Sequence, residues 1–233
     1  MSTAPERIQN WQASWLGKLA PDEVHLYLCC LDWEETSLAW AGGLLSAAEK
    51  ARGEQLMSPA KRKYFYAARA SLRWLLAKYL DLSPDMVSIQ YEQGGKPSVP
   101  GVYFNVSHSR DRALIAISGT CALGVDLEFI DPTVSYWQVA ALAFTSHERQ
   151  ALSGLPVEQQ RTAFYEVWTG KEALLKAHGG KLDISLKEES RGGEAPELPT
   201  YRVLQLSLEK EWAAALALTN PPPEVKLTYG YLV

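Results

Sequence analysis

What this 233-residue chain lacks narrows its class first. It has only three cysteines, Cys29, Cys30 and Cys121, an odd number without C-x-x-C spacing. That argues against a disulfide framework or a structural zinc site and for a reducing compartment. Four histidines, His25, His108, His147 and His178, are scattered and make no metal-ligand spacing. No run approaches the 18 apolar residues of a membrane span, and Met-Ser-Thr-Ala-Pro-Glu-Arg is not a basic-then-apolar signal. The expectation is a soluble, cytoplasmic protein with no membrane partner. The net charge of −4 comes from both signs intermixed, which argues against nucleic acid or an anionic membrane surface. There is no G-x-S-x-G, and no base or acid stands where it would make Ser107 a triad nucleophile. What the chain does have is 47% hydrophobic residues, enough for one sizeable core or two small ones.

Along the chain, residues 1–21 are mixed and proline-flanked, with Trp11 and Trp15 spaced as an i,i+4 anchor. Val24 to Leu31 alternates like a strand, and Ser46-Ala-Ala-Glu49 is a capping box. A helix is expected from about Pro59 to Leu80, closed by Asp81-Leu82-Ser83-Pro84. Val87 to Tyr91 reads as a short strand and Gly94-Gly95-Lys96-Pro97 as a loop. Val102–Val106 and Ala113–Ser118 form a hairpin around Ser107-His108-Ser109-Arg110-Asp111.

Shifted by 99 positions, the sequence falls on itself. Val24-x-Leu26-x-Leu28 meets Leu123-x-Val125-x-Leu127, Ser46-x-x-Glu49 meets Thr145-x-x-Glu148, Phe65-Tyr66 meets Phe164-Tyr165, and Leu75-Leu76 meets Leu174-Leu175. The strand at 113–118 lands on Trp212 to Ala217. Identities are few, but the elements keep one frame without a gap. The expected fold is α+β, with two similar subdomains, 1–120 and 121–233, related by an internal duplication and a pseudo-twofold. The duplication itself ends near residue 220. Where the second half has Asp126, Glu128 and Glu172, the first has Tyr27, Cys29 and Arg73. Acids present in one copy only point to a single asymmetric site.

The helix carrying Val167-Trp168-Thr169-Gly170-Lys171-Glu172-Ala173-Leu174-Leu175-Lys176 ends at Gly179-Gly180. Phe164, Val167, Trp168, Leu174 and Leu175 share an apolar arc, and Tyr165, Thr169, Glu172 and Lys176 form a polar stripe beside it. Lys171 sits inside the apolar arc, an odd place for a solvated lysine. Glu172 and Lys176 alone also fit an exposed i,i+4 pair of roughly 0.3–0.5 kcal/mol. In Leu123-Gly124-Val125-Asp126-Leu127-Glu128, two carboxylates share one strand face and repel unless a cation lies between them. Mg²⁺ would suit them, with phosphate oxygens and water completing its shell, and Gly124 leaves room for a ligand. Solvated acids at a strand end are the other reading. Asn105-Val106-Ser107-His108-Ser109, after the Gly94–Pro97 loop, offers hydroxyls, an imidazole and backbone N–H groups to a phosphate, or it is a plain turn. Lys61, Arg62, Lys63, Arg69 and Arg73 line a helix that either meets phosphates or is simply solvated.

Together these residues resemble one family. Gly124-Val125-Asp126-x-Glu128, Phe144-Thr145-x-x-Glu148 and Trp168-x-x-Lys171-Glu172-Ala173-x-x-Lys176 are similar in order and spacing to the signature of Sfp-type 4′-phosphopantetheinyl transferases. Asn105-Val106-Ser107-His108-Ser109, preceded by Gly95-Lys96-Pro97, resembles that family's upstream motif. The likeness runs from about residue 60 to 180. Thr145 stands where serine is commoner, and the 61–73 helix matches only loosely. The resemblance implies Mg²⁺-dependent transfer of 4′-phosphopantetheine from coenzyme A to a serine of an apo acyl or peptidyl carrier protein, releasing 3′,5′-ADP. It implies a monomeric pseudodimer with coenzyme A between the halves. Asp126, Glu128 and Glu172 would hold the metal, and Lys176, with Lys171, would reach the phosphates. Glu172, Glu148 or a metal-bound water would take the serine proton. Ser107, His108 and Arg69 would hold the 3′-phosphate, with Lys96 and Pro97 near the adenine.

A non-catalytic carrier-binding module is the competing reading, and a Mg²⁺-dependent phosphohydrolase a third. Residues 130–144, rich in apolar side chains beside Glu128, are expected to include a carrier-docking surface with Tyr136 and Trp137 as anchors.

Overall fold

The computed structural model describes residues 19–91, 95–179 and 199–232. Trp11, Trp15, Gly94 and Gly180 lie outside these residues. The first half contributes strand β1 (Glu23–Cys30), helices α1 (Glu35–Leu44), α2 (Ala47–Glu54) and α3 (Pro59–Leu80), short strands β2 (Gln90–Tyr91) and β3 (Pro97–Ser98), and the hairpin β4 (Tyr103–Ser109) and β5 (Arg112–Ser118). The second contributes β6 (Leu123–Phe129), α4 (Tyr136–Ala143), α5 (Ser146–Ser153), α6 (Val157–Ala177), β7 (Tyr201–Leu206) and β8 (Trp212–Thr219). A last strand, β9 (Lys226–Leu232), follows. The class is mixed α+β.

Local chemistry sets the boundaries. Ser46 accepts from the Glu49 N–H while Glu49 accepts from the Ser46 N–H, and Thr145 and Glu148 repeat the exchange at the head of α5. Each cap contributes about 1 kcal/mol to its helix. Ser58 caps α3, Pro59 supplies a first turn that needs no N–H donor, and Asp81 ends the helix in a left-handed conformation (φ 53°).

Two sheets stack face to face, the first mixed and the second antiparallel. Strands run β4-β5-β1-β9 in one and β6-β8-β7 in the other. Between them lie Val24, Leu26, Leu114 and Ala116 from the first sheet and Leu123, Val125, Leu127, Ala214, Leu216 and Leu218 from the second. The period of two then sends Tyr27, Cys29, Ile115 and Ile117 outward onto Leu72, Leu75 and Leu76 of α3. On the far side Ala215 and Ala217 meet Ala173 and Ala177 of α6. The layers are therefore helix, sheet, sheet, helix.

The expected single frame slips once. Val24 pairs with Ser118, but Leu123, 99 positions on, pairs with Leu218, 100 positions on from Ser118. Cys29 faces Ala113 and Glu128 faces Ala213, so the equivalent of Ala113 is Ala213 rather than Trp212. β9 leaves the second half altogether and pairs parallel with β1, Leu26 opposite Tyr229. The strand expected at 87–91 is shorter, Gln90–Tyr91, because Pro84–Met86 forms a 3₁₀ turn just before it. β4 extends further than expected and carries Ser107, His108 and Ser109 within the strand. The turn is Arg110-Asp111, with Arg110 in the left-handed region (φ 49°).

Candidate active site

The site forms where β4, the edge of one sheet, runs beside β6, the edge of the other. No ladder joins the two strands, and side chains serve instead. Asn105 Oδ1 accepts from the Val125 N–H at 2.9 Å, and Ser109 Oγ accepts from the Phe129 N–H at 3.2 Å. These bonds satisfy edge groups that would otherwise be buried without partners. Between those rungs Ser107 Oγ donates to Asp126 Oδ1 at 2.8 Å, and Ser109 Oγ donates to Glu128 Oε2 at 2.8 Å. The i,i+2,i+4 pattern on β4 thus meets the i,i+2 acids on β6.

Helix α6 covers this edge at very short range. A Cβ built on Gly124 would lie 2.2 Å from the Ala173 carbonyl oxygen and 2.4 Å from the Ala177 nitrogen. Gly124 therefore admits the helix backbone, not a ligand, which corrects the expectation from sequence. The approach turns the Tyr165–Thr169–Glu172–Lys176 stripe inward. Tyr165 and Thr169 are buried, and Glu172 and Lys176 reach the acids of β6. The polar stripe is thus an interior face at its middle and a site at its end.

An open depression of about 310 Å³ is lined by Val106, Ser107, His108, Asp126, Glu128, Trp168, Glu172 and Lys176. Lys176 Nζ lies 2.6 Å from Asp126 Oδ1 and donates to Ser107 Oγ at 2.9 Å. Burial raises the Glu128 carboxyl above its ordinary range, with the Asp126 and Glu172 charges adding to the rise and Ser109 and Lys176 opposing it. Burial, then Asp126, raises Glu172 likewise, against Lys176. His108 sits at the open rim, yet the atoms packed around its ring, and then the Lys176 charge, hold it below the ordinary imidazole value.

The other expected residues fall elsewhere. Lys171 gives both its bonds of 2.9 Å to the two oxygens of Glu148 and lies over the Phe144 ring, so it is not directed at the acids. Glu148 also closes the α5 cap; burial would raise its pKa, but Lys171 and the Thr145 N–H outweigh that and hold it low. Arg69 bonds Glu49 at 2.9 Å and the Tyr91 hydroxyl at 2.6 Å. Lys96 joins the halves, donating to Leu123 O at 3.1 Å and Lys176 O at 2.8 Å. It lines, with Gly95, Pro97 and Asn105, a second depression that shares Val106 and Lys176 with the first. A cavity of about 560 Å³ lies against Lys96, Phe104, Leu123 and His178, and among the described residues no carboxylate lines it.

Two contributors were not assigned from sequence. Ser109 aims Glu128, and Trp168 walls the depression. Strand periodicity through Asn105, Ser107 and Ser109 carried the signal for Ser109, but a turn was expected there.

The donor set suits a hard cation. Asp126 Oδ2 is buried with no hydrogen-bond partner among the described residues, a costly state unless something positive meets it. Three carboxylates face the same depression. Among the described residues no three acidic, histidine or cysteine side chains stand where they could hold a metal ion by themselves. Mg²⁺ accepts such a partial set, because ligand phosphates and water fill the rest.

A family model described as the 4′-phosphopantetheinyl transferase superfamily matches residues 122–217, from the start of β6 through β8. Over 226 residues the chain is 35% identical to the 4′-phosphopantetheinyl transferase HetI of Nostoc sp., covering 90% of this chain and 95% of that one. It is 32% identical over 141 residues to the 4′-phosphopantetheinyl transferase AcpT of Escherichia coli K12, covering 58% and 69%. A 4′-phosphopantetheinyl transferase of Bacillus subtilis is 29% identical over 201 residues, covering 76% and 88%.

Proposed function

The chain belongs to the 4′-phosphopantetheinyl transferase superfamily, and from that premise we propose that it moves 4′-phosphopantetheine from coenzyme A to a serine of an apo acyl or peptidyl carrier protein, releasing 3′,5′-ADP. The observation that carries the reading is the orphaned Asp126 Oδ2, set beside Glu128 and Glu172 under Lys176. Asp126, Glu128 and Glu172 would hold Mg²⁺, which when bound neutralises charge on the attacked phosphate and the leaving diphosphate.

The chain's own groups do the rest. The carrier serine oxygen forms a bond to the phosphorus that bears the pantetheine arm, and that phosphorus loses its bond to the oxygen of 3′,5′-ADP. The serine proton goes to Glu172, the carboxylate that α6 brings to the depression. Glu148 is assigned no proton, because both its oxygens are bound to Lys171 and its pKa is lowered. Lys176 steadies the phosphates, and Ser107 and His108 take the 3′-phosphate at the rim. The Lys96–Pro97 backbone lies along the adenine end, while the Lys96 amine braces α6 against β6. Arg69 holds Glu49 and is assigned no contact with coenzyme A.

The recurrence of elements and of core faces supports an internal duplication, dividing the chain near residue 120, with β9 returning to the first sheet. The pseudodimer acts as a monomer. Among the described residues no helix is long and apolar enough to cross a membrane. We place the reaction in the cytoplasm, where coenzyme A and apo carriers meet.

The test is a mass spectrum of purified apo carrier protein after incubation with coenzyme A, Mg²⁺ and this chain. A gain of one phosphopantetheine arm is expected, and an unmodified carrier would overturn the proposal.

A further inference from the structure

Asp126 already has a cation. Lys176 Nζ, Ser107 Oγ and Asp126 Oδ1 form a closed triangle with sides of 2.6, 2.8 and 2.9 Å. The Asp126 side chain is almost wholly buried and that of Lys176 about one-third exposed, so water screens this pair poorly. The ammonium neutralises one oxygen of the carboxylate, and the other, Oδ2, stands buried without a partner among the described residues. Lys176 is fixed in this place by its own helix. Its carbonyl accepts from Lys96 Nζ, and Gly124 lets α6 lie directly on β6, so the side chain leaves the helix pointing at Asp126.

A dication taking Asp126 Oδ2 would share a single carboxylate with this ammonium, and like charges at that range in a buried setting repel strongly. A ligand rich in phosphate oxygens changes the balance, because it offers the ammonium other charge-assisted acceptors. We infer that Lys176 competes with the divalent cation for Asp126, so that the cation binds tightly only together with a phosphate-bearing ligand that draws the ammonium away. This rests on the metal-dependent transfer proposed above. It adds that Lys176 couples the two ligands, and by linkage each tightens the other by the same factor. Lys176 would thereby keep the acids from collecting cations unproductively between turnovers.

The sign of one measurement separates this from simpler roles. A lysine that only touches phosphate leaves the affinity for metal alone unchanged on removal, and a lysine that only props the site lowers it. Competition raises it. Mn²⁺ binding is measured by titration calorimetry on the wild-type chain, Lys176→Met and Lys176→Gln, each with and without inorganic pyrophosphate. Both variants should bind Mn²⁺ alone about tenfold more tightly than wild type, within the usual range of coupling between sites. Pyrophosphate should strengthen Mn²⁺ binding more in wild type than in either variant. As a second measurement, Mg²⁺ should raise the unfolding temperature of each variant by more than that of wild type. Unchanged or weaker Mn²⁺ binding in both variants would overturn the inference while leaving the transfer reaction standing. If the wild-type chain binds no Mn²⁺ in either condition and still modifies a carrier in EDTA, the metal assignment fails and the inference with it.

Discussion

Glu49 and Glu148 occupy equivalent positions in the two halves, each the third residue of a capped helix and each reaching across to a cation on the following long helix. In the first half the partners are Arg69 and Arg73, and the Glu49–Arg73 pair has both side chains almost wholly buried. Arg73 donates further to the Pro84 and Val87 carbonyls, which closes the network. In the second half the partner is Lys171, and that pair is about one-third exposed. The next residue, Glu172, stands 99 positions after Arg73 and faces the depression instead of the core. On the strands, Tyr27 and Cys29 are packed under α3, whereas Asp126 and Glu128 line the depression, held by Ser107, Lys176 and Ser109. The same frame has been finished as core on one side and left charged on the other. β9 adds to the asymmetry: it ladders onto β1, whereas the corresponding side of β6 is met by side chains, those of β4 and Lys96. A sheet edge fully paired by backbone has no room for chemistry, while an edge paired through serines and an asparagine leaves carboxylates available.

The comparison breaks most sharply at the acids. Asp126→Ala is expected to lower carrier modification by about 10³-fold or more, the scale on which a transition-state charge contact is lost, with the circular dichroism spectrum unchanged. Its first-half counterpart, Tyr27→Phe, should leave turnover within about twofold and cost stability only, since a lost buried hydrogen bond is worth about 1–3 kcal/mol. Comparable turnover losses in both would mean that the halves do not divide chemistry from core as described.

The two ion pairs give the next contrast, in stability. Arg73→Met strands Glu49 in the interior beside Arg69 alone and should destabilise the protein by about 3–5 kcal/mol. Lys171→Met removes the partner of a partly exposed carboxylate and should cost below about 1 kcal/mol. Urea unfolding of both variants measures the difference, and equal costs would refute the burial argument.

Acid sharpens the same contrast. Burial works against the Glu49 charge, but the Ser46 N–H, Arg69 and Arg73 outweigh it and hold its carboxyl below the ordinary glutamate value of 4.5. A carboxyl lowered by folding adds stability that is present above the unfolded value and is lost as pH falls through the folded one. Stability should therefore decline below pH 4.5, and Glu49→Gln should start lower and show a flatter decline between pH 5 and 3. An unchanged slope in that variant would remove Glu49 from the acid transition.

Much of this was legible in the sequence because it is written in local spacing. The two capping boxes, the long helices and the acids of β6 each follow from a pattern within a few residues. So does the grouping of Asp126, Glu128 and Glu172, which needs only strand and helix periodicity plus the contrast with Tyr27, Cys29 and Arg73. What was not legible depends on which surfaces meet. Gly124 looked like room for a ligand because nothing local says that α6 lies across it. Lys171 looked available until Glu148 proved to be within reach. Ser109 looked like a turn residue because the hairpin turn is tighter than expected. The one-residue slip before β8 leaves no trace in a sequence whose identities are so sparse. β9 gave no sign that it would cross back to β1.

The smallest expected effect concerns the surface beside the acids, where the two halves also differ. α4 follows β6 through the segment that Arg161 ties down by donating to the Asp131 and Val134 carbonyls. Tyr136 faces inward, against Phe164 and toward Gln160, and so behaves as core. Trp137, next to it, is 37% exposed, and Leu142 on the same helix is 92% exposed. The first-half equivalent α1 buries Ser37 and Ala41, and its Trp40 packs against Trp33. Of the aromatic pair singled out in the sequence, one ring is therefore structural and the other is available to a partner. By the transfer proposed above a carrier protein brings its serine to the acids, and exposed apolar side chains on the helix that follows β6 are suited to hold it, since aromatic anchors contribute most at such contacts. Trp137→Ala should raise the Michaelis constant for the carrier several-fold, corresponding to about 1 kcal/mol of lost contact, and leave that for coenzyme A unchanged. Leu142→Ala should act in the same direction and more weakly, and Tyr136→Ala should instead lower the unfolding temperature. Equal changes in both Michaelis constants for Trp137→Ala would mean that the ring supports the site from within, and the carrier would then have to approach from the β4 side of the depression.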